Sequence, residues 1–249
     1  KIVLNGTSAG ASSNGLQITS TNNVIKGLAI NNFKSRGIII NNKSGNKIQG
    51  CIIGLDDTGE TIQKNTSYGI YLYGAAATLN VIGTDGDGSN AAAERNIISG
   101  NGRVGIYIAS NGQTTIAGNF IGTDKDGTTD LGNTASGIQA TASAGQNTIG
   151  TNGDGIDDAG EGNLIAGNTT YGVYLAGSSD IIAGNIFGLD ATGTIRLRND
   201  SAAITLTGNS TRIGTNGDGV SDLLERNIIS GSNTSGQRGI YGTGDNLII

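Results

Sequence analysis

The side chains best suited to chemistry are the carboxylates and carboxamides of three near-identical loops. They read Gly83-Thr84-Asp85-Gly86-Asp87-Gly88 on to Glu94, Gly150-Thr151-Asn152-Gly153-Asp154-Gly155 on to Glu161, and Gly214-Thr215-Asn216-Gly217-Asp218-Gly219 on to Glu225. Measured against a twelve-residue calcium loop, Asp or Asn stands at position 3, Asp at 5, Gly at 6 and Glu at 12. Calcium takes about 6–8 oxygen ligands, the glycine permits a sharp turn, and the distant Glu can close the site with two oxygens. Asp158 and Asp222 add an acid at position 9 of the second and third loops. Ala91 stands there in the first, which is therefore expected to be the weakest site. Calcium is the cofactor this spacing implies.

Position 1 is glycine in all three loops, where a helix-loop-helix calcium site has its first acid. The competing reading is turn chemistry: Asp-Gly pairs make tight turns, while Glu94 and Glu225 cap a helical turn or pair with Arg95 and Arg226. A second recurrent element, Asp124-Lys125-Asp126-Gly127 through Asp130, has weaker copies at Asp56-Asp57-Thr58-Gly59 and Asp190-Ala191-Thr192-Gly193. It repeats the turn signature with fewer oxygens.

Catalytic chemistry is poorly supplied. There is no histidine, and the acids follow the repeat, whereas a single active site would break the repeat with unique residues. Asp180 and Asp190 could meet in space as a carboxylate pair, and Arg196 with Arg198 beside Asp200 could hold a sugar carboxylate or simply form a solvated loop. Cys51 lies in the apolar run Gly50-Cys51-Ile52-Ile53, the setting of a small buried hydrophobe.

Composition narrows the partners. The net charge is -5, with 15 basic and 20 acidic residues, which offers no basic face for phosphates and predicts no nucleic-acid partner. No apolar run approaches the roughly 18 residues that span a bilayer. Without a methionine, the chain reads as a mature product or a fragment of a longer one.

The elements that must carry these loops emerge from self-comparison. Ile53-Gly54-Leu55-Asp56 returns as Ile121-Gly122-Thr123-Asp124 and Phe187-Gly188-Leu189-Asp190, and Asn96-Ile97-Ile98-Ser99-Gly100 returns at Asn163 and Asn227, always 64 to 68 residues apart. Within a period, apolar clusters of a few residues alternate with Gly, Asn and Ser corners among 44 glycines. Strands this short, recurring once per coil, call for parallel stacking of like on like. The fold predicted is an all-β, right-handed parallel β-helix solenoid of about eight coils with three short strands each. It forms one domain over 1–249, with acidic insertions at 83–94, 150–161 and 214–225. Corner asparagines such as Asn101, Asn119, Asn168 and Asn185 are expected to take left-handed backbone conformations and to hydrogen-bond along the stack.

On phrases such as Asn163-Leu164-Ile165-Ala166-Gly167-Asn168 and Phe120-Ile121-Gly122-Thr123-Asp124, the chain resembles the right-handed parallel β-helix repeat surface proteins of bacteria and archaea. The resemblance implies an exported, extracellular or cell-surface architectural or adhesive module without a catalytic site. The broader fold also hosts polysaccharide lyases, so a polysaccharide-binding or polysaccharide-degrading protein, lyase or glycosidase, is the alternative. Glycans are then possible partners. Sequons at Asn5, Asn65, Asn168 and Asn209 permit glycosylation. Uncapped strands at Ile2-Val3-Leu4 and Leu247-Ile248-Ile249 lead to the expectation of self-association end to end into a filament, or of a segment cut from a longer solenoid.

Overall fold

The computed structural model describes residues 1–230 and 238–249. Each of the first seven coils contributes one strand to each of three parallel sheets, and the chain climbs from the first to the second to the third before starting the next coil. The first sheet stacks Ile2–Asn5, Leu28–Asn31, Ile52–Ile53, Ile97–Ile98, Phe120–Ile121, Leu164–Ile165, Ile186–Phe187 and Ile228–Ile229. The second also has eight strands, from Leu16–Ile18 to Arg238–Gly242, and the third has seven, from Val24–Lys26 to Arg212–Ile213. This is the predicted right-handed parallel β-helix.

Like packs on like because the register never slips. In the third sheet Ile25, Ile48, Ile82, Ile116, Ile149, Ile182 and Ile213 follow one another coil by coil. Their side chains join inward-facing residues of the other sheets, such as Ile53, Ile98, Ile121, Ile70 and Ile106, in one continuous core. No coil can bury its apolar face alone; each covers the one beneath it.

Two details depart from the sequence reading. The third-sheet strand expected at 247–249 is reduced to a single bridge between Ile248 and Arg212, so that sheet ends one strand early. Asn22, Asn32 and Asn42 are left-handed, with φ 58°, 61° and 56°, but Asn101, Asn119, Asn168 and Asn185 are not. Gly118 instead takes that conformation, with φ 70°, and leaves the following Asn119 free to aim its amide along the axis.

Three ladders result, two of asparagine throughout and a third, less regular one before the third sheet that runs through Asn23, Asn46 and Asn80 and then Asn147 and Asp180. Asn96, Asn119, Asn163, Asn185 and Asn227 form the one before the first sheet. In each rung the side-chain amide donates to the Oδ1 of the next, at 2.9–3.0 Å, and to a main-chain carbonyl of the coil below. Asn65, Asn101, Asn133, Asn168 and Asn199 repeat the pattern before the second sheet. Every amide group buried at these corners thereby finds partners, which a corner without a strand ladder could not otherwise supply. Asn65 and Asn168 are fully buried in this ladder, so two of the sequons are closed to glycosylation in the folded chain.

Candidate functional site

The three acidic loops leave the third sheet on alternate coils and stack above one another. Gly153, with φ 77°, lies so close to the next loop that a Cβ there would come within 2.4 Å of Glu225 Oε1; Gly86 meets Glu161 in the same way. Two loops hold one helical turn each, Ala91–Glu94 and Asp158–Glu161, and these turns touch.

Within each loop the sequence-predicted oxygens are turned onto the loop's own donors. Glu161 Oε2 accepts the N–H of Asn152 at 3.0 Å, Glu225 Oε2 that of Asn216 at 2.9 Å, and Glu94 Oε2 that of Asp85 at 3.4 Å. Asp154 and Asp218 each accept a backbone N–H two residues on and an Asn amide. Asp87 accepts from Ser89. Asp158 takes the Thr151 hydroxyl and the Gly155 N–H, and Asp222 takes the Thr215 hydroxyl. Cations of this chain also reach in: Lys26 pairs with Glu94 at 3.1 Å, Lys47 pairs with Asp85, and Arg212 pairs with the fully buried Glu225 at 3.1 Å. The partners are therefore Lys26 and Arg212 rather than Arg95 and Arg226. Arg95 instead lies over the Phe120 ring at 4.2 Å and donates to the Gly118 carbonyl.

Among the described residues no cation pairs with the second loop. Burial pushes the Glu161 carboxyl above its usual range, and neighbouring Asp158 and Asp154 add to this. Burial also acts on Asp158, but hydrogen bonds from Ser221, Thr151 and backbone amides hold it below the usual value. Among the described residues no three acidic, His or Cys side chains converge as a metal-ligating set. The oxygens present close the loops' own turns.

The second recurrent element forms a stack of its own. Leu55 with Ile62, Thr123 with Asp130, and Leu189 with Arg196 make antiparallel bridges that turn the chain into short arms over the first sheet. Asp56, Asp124 and Asp190 accept backbone N–H groups of their own turns. The arms are joined through Lys125 N–H to Gly59 O at 3.0 Å and Ala191 N–H to Gly127 O at 2.8 Å. They cover outward-facing Ile52, Ile97, Phe120 and Leu164, forming a second apolar cluster with Leu55. Between arms and acidic loops a groove of about 340 Å³ remains, floored by Phe120, Leu164 and Ile186 and edged by Arg95.

Asp180 and Asp190 do not form a catalytic pair. Asp180 stands before a third-sheet strand and accepts from Asn147 of the coil below, while Asp190 stands after a first-sheet strand and accepts from its own turn. Arg198 is tied to Asp200 at 3.0 Å. Cys51 is buried, and burial raises its thiol above the ordinary value.

The sequence reading passed over the outer face of the second sheet because its tyrosines look scattered in one dimension. Register brings Ile39, Tyr71, Tyr107 and Gln139 into one row, and Tyr68 leans onto it. The Tyr68 ring lies 5.2 Å from Tyr71 and 4.8 Å from Tyr107, and Tyr71 lies 5.4 Å from Tyr107, all stacked. Tyrosines one coil apart at an outward-facing strand position were the available signal.

No family model matches the chain, and no curated protein matches it. No helix among the described residues is long and apolar enough to cross a membrane. The fold is thus defined by its three parallel sheets, and the function must be argued from its surfaces.

Proposed function

We propose that this chain is a non-catalytic, extracellular structural or adhesive module whose task is to hold long, regular sheet faces in fixed register. One observation carries this reading. The acids that could do chemistry recur with the repeat, and their oxygens are engaged by the loops' own N–H groups, hydroxyls and cations. An acid–base catalyst needs a proton-transferring group free to reach substrate, and the chain has no histidine to serve. The resemblance to surface β-helix proteins supports the extracellular setting.

The test is turnover. Purified protein incubated with uronate polymers and with neutral glycans is expected to leave chain length and reducing ends unchanged. Release of oligosaccharides, with or without unsaturated ends, would overturn the non-catalytic reading in favour of a lyase or glycosidase.

A further inference from the structure

We propose that the second and third acidic loops modify themselves: Asn152 and Asn216 lose their side-chain amides by attack of the following glycine nitrogen, assisted by the hydrogen-bonded relays Thr151–Asp158 and Thr215–Asp222. The only substrate is the chain itself, a step beyond the structural and adhesive reading and independent of it.

Six Asn-Gly pairs occur in the chain, and a glycine in second place leaves its backbone nitrogen unshielded. The solenoid silences three of them. The N–H groups of Gly6, Gly15 and Gly102 donate to the carbonyls of Asn31, Arg36 and Asn65 in the neighbouring coil, and Asn101 is buried in its ladder. In the other three the nitrogen donates to the hydroxyl just before the Asn: Gly153 to Thr151 Oγ1 at 3.0 Å, Gly217 to Thr215 Oγ1 at 2.9 Å, and Gly112 to Ser110 Oγ at 3.4 Å. Two of those hydroxyls hand on to a carboxylate. Thr151 Oγ1 donates to Asp158 Oδ1 at 2.6 Å and Thr215 Oγ1 to Asp222 Oδ1 at 2.8 Å. Thr151 and Asp158 are both buried, so bulk water does not compete for this relay. The same turn readies the group under attack. Asn152 Oδ1, where negative charge gathers as the nitrogen adds, accepts the Asp154 N–H at 2.9 Å, and Asn216 Oδ1 accepts the Asp218 N–H at 2.9 Å.

The first loop is the chain's own comparison. It keeps Thr84 and Gly86, whose N–H donates to Thr84 Oγ1 at 3.3 Å, but it has Asp85 in place of the Asn and Ala91 in place of the relay Asp. Electrophile and base are lost together, and Asp85 shows that the loop accepts the carboxylate the reaction would leave. The step balances within the loop and one water. Gly153 N bonds to Asn152 Cγ while its proton passes through Thr151 Oγ1 to Asp158; the Cγ–Nδ2 bond breaks, and the proton returns through solvent to Nδ2, which departs as ammonia. Water then opens the cyclic imide at either carbonyl, leaving Asp or isoaspartate at position 152. Hydrogen bonds hold the Asp158 carboxyl below its usual range, so the base is ionised at neutral pH.

The experiment is peptide mapping by mass spectrometry of the full chain, fresh and after incubation at pH 6, folded and in urea, with Asp and isoaspartate counted at each Asn-Gly pair. Asn152 and Asn216 are expected to convert faster folded than in urea. In the folded chain they should outpace Asn111, whose Ser110 passes its hydroxyl to no carboxylate among the described residues, by on the order of 10-fold or more. Asp158→Asn and Thr151→Val should each bring Asn152 down to the Asn111 rate while Asn111 is unchanged, and Thr151→Ser should keep the parental rate. From pH 5 to pH 7 the parent's Asn152 rate should stay nearly flat, whereas in Asp158→Asn it should climb with hydroxide; a merely structural Asp158 would leave both profiles climbing alike. Thermal midpoints identify the folded variants, and the comparison of folded parent with parent in urea decides the matter even if no variant folds. Slower conversion folded than in urea, equal rates at Asn111 and Asn152, or a parental rate in folded Asp158→Asn and Thr151→Val would each overturn the proposal.

Discussion

Asp180 takes both donors of Asn147 on a single oxygen: Oδ1 accepts the backbone N–H and the side-chain amide, each at 2.8 Å. It occupies an asparagine position in the third ladder, below Thr211 and above Asn147, and only 1% of it is exposed. Its other oxygen, Oδ2, is buried without a partner. Where Asn147 gives its amide to the Ala144 carbonyl at 2.7 Å, an ionised Asp180 has nothing to give.

The prediction is that Asp180→Asn stabilises the protein near neutral pH. Burial, only partly offset by hydrogen bonds from Asn147, pushes the Asp180 carboxyl from 3.8 up to about 6. A folded value above the unfolded one means that this group's contribution to stability is complete below about 3.8 and is lost as pH rises through about 6. The substitution removes that loss, worth on the order of 3 kcal/mol at pH 7. Thermal midpoints of the two proteins should nearly coincide at pH 4 and diverge by pH 7, with the variant higher; parallel curves would refute the assignment.

A ladder rung in the middle of the stack should be far less tolerant. Asn133 accepts from the backbone and side chain of Asn101 at 3.1 and 3.0 Å, and donates to the Ile98 carbonyl and to Asn168 Oδ1, both at 3.0 Å. Asn133→Ala leaves these fully buried partners unsatisfied and is expected to cost roughly 2–4 kcal/mol. Urea unfolding measures it, and a midpoint equal to the parent's would mean that water replaces the rung.

Much of this architecture was legible because a solenoid writes its geometry into its period. Ile53, Ile121 and Phe187 repeat in sequence and share one inward-facing row in space. Corners were harder. That Cys51 begins one residue outside its strand follows from its N–H going to the Asn96 side chain, a contact 45 positions away. The tyrosine platform was hidden for the same reason: Tyr71 and Tyr107 are distant in sequence and adjacent only once register is known. The acidic loops are ambiguous in a different way, since the spacing that suits calcium also suits an Asx turn closed by a Glu.

Cys51 is the ladder's missing asparagine. It stands one coil below Asn96, to whose Oδ1 it donates its N–H, and its Sγ faces the Gln49 carbonyl at 3.3 Å, as Asn119 faces that of Ala117. Cys51→Asn should extend the ladder, with its amide reaching Asn96 Oδ1, and raise stability by about 1 kcal/mol. Cys51→Ala should lower it. The native thiol, buried and raised in pKa, should react with thiol reagents only on unfolding; if Cys51→Asn proved less stable than Cys51→Ala, the corner would be one that needs an apolar filler.

Calcium withdrawal tests the acidic loops. In the first and third, Lys26, Lys47 and Arg212 already neutralise the carboxylates an ion would need, so binding there would require displacing an intramolecular cation. Among the described residues the second loop has no such competitor, and its Glu161 carries a carboxyl whose ionised form is disfavoured by burial. Without metal, this raised value means that Glu161 contributes less stability as pH climbs through it, and Glu161→Gln should flatten that part of the pH profile. The thermal midpoint of the parent is expected to be the same in chelator and in calcium. A midpoint that falls on chelation, recovers with calcium, and loses this response in Glu161→Gln would show instead that the second loop opens its turn to wrap an ion, with Asp154, Asp158 and Glu161 released from their present hydrogen bonds.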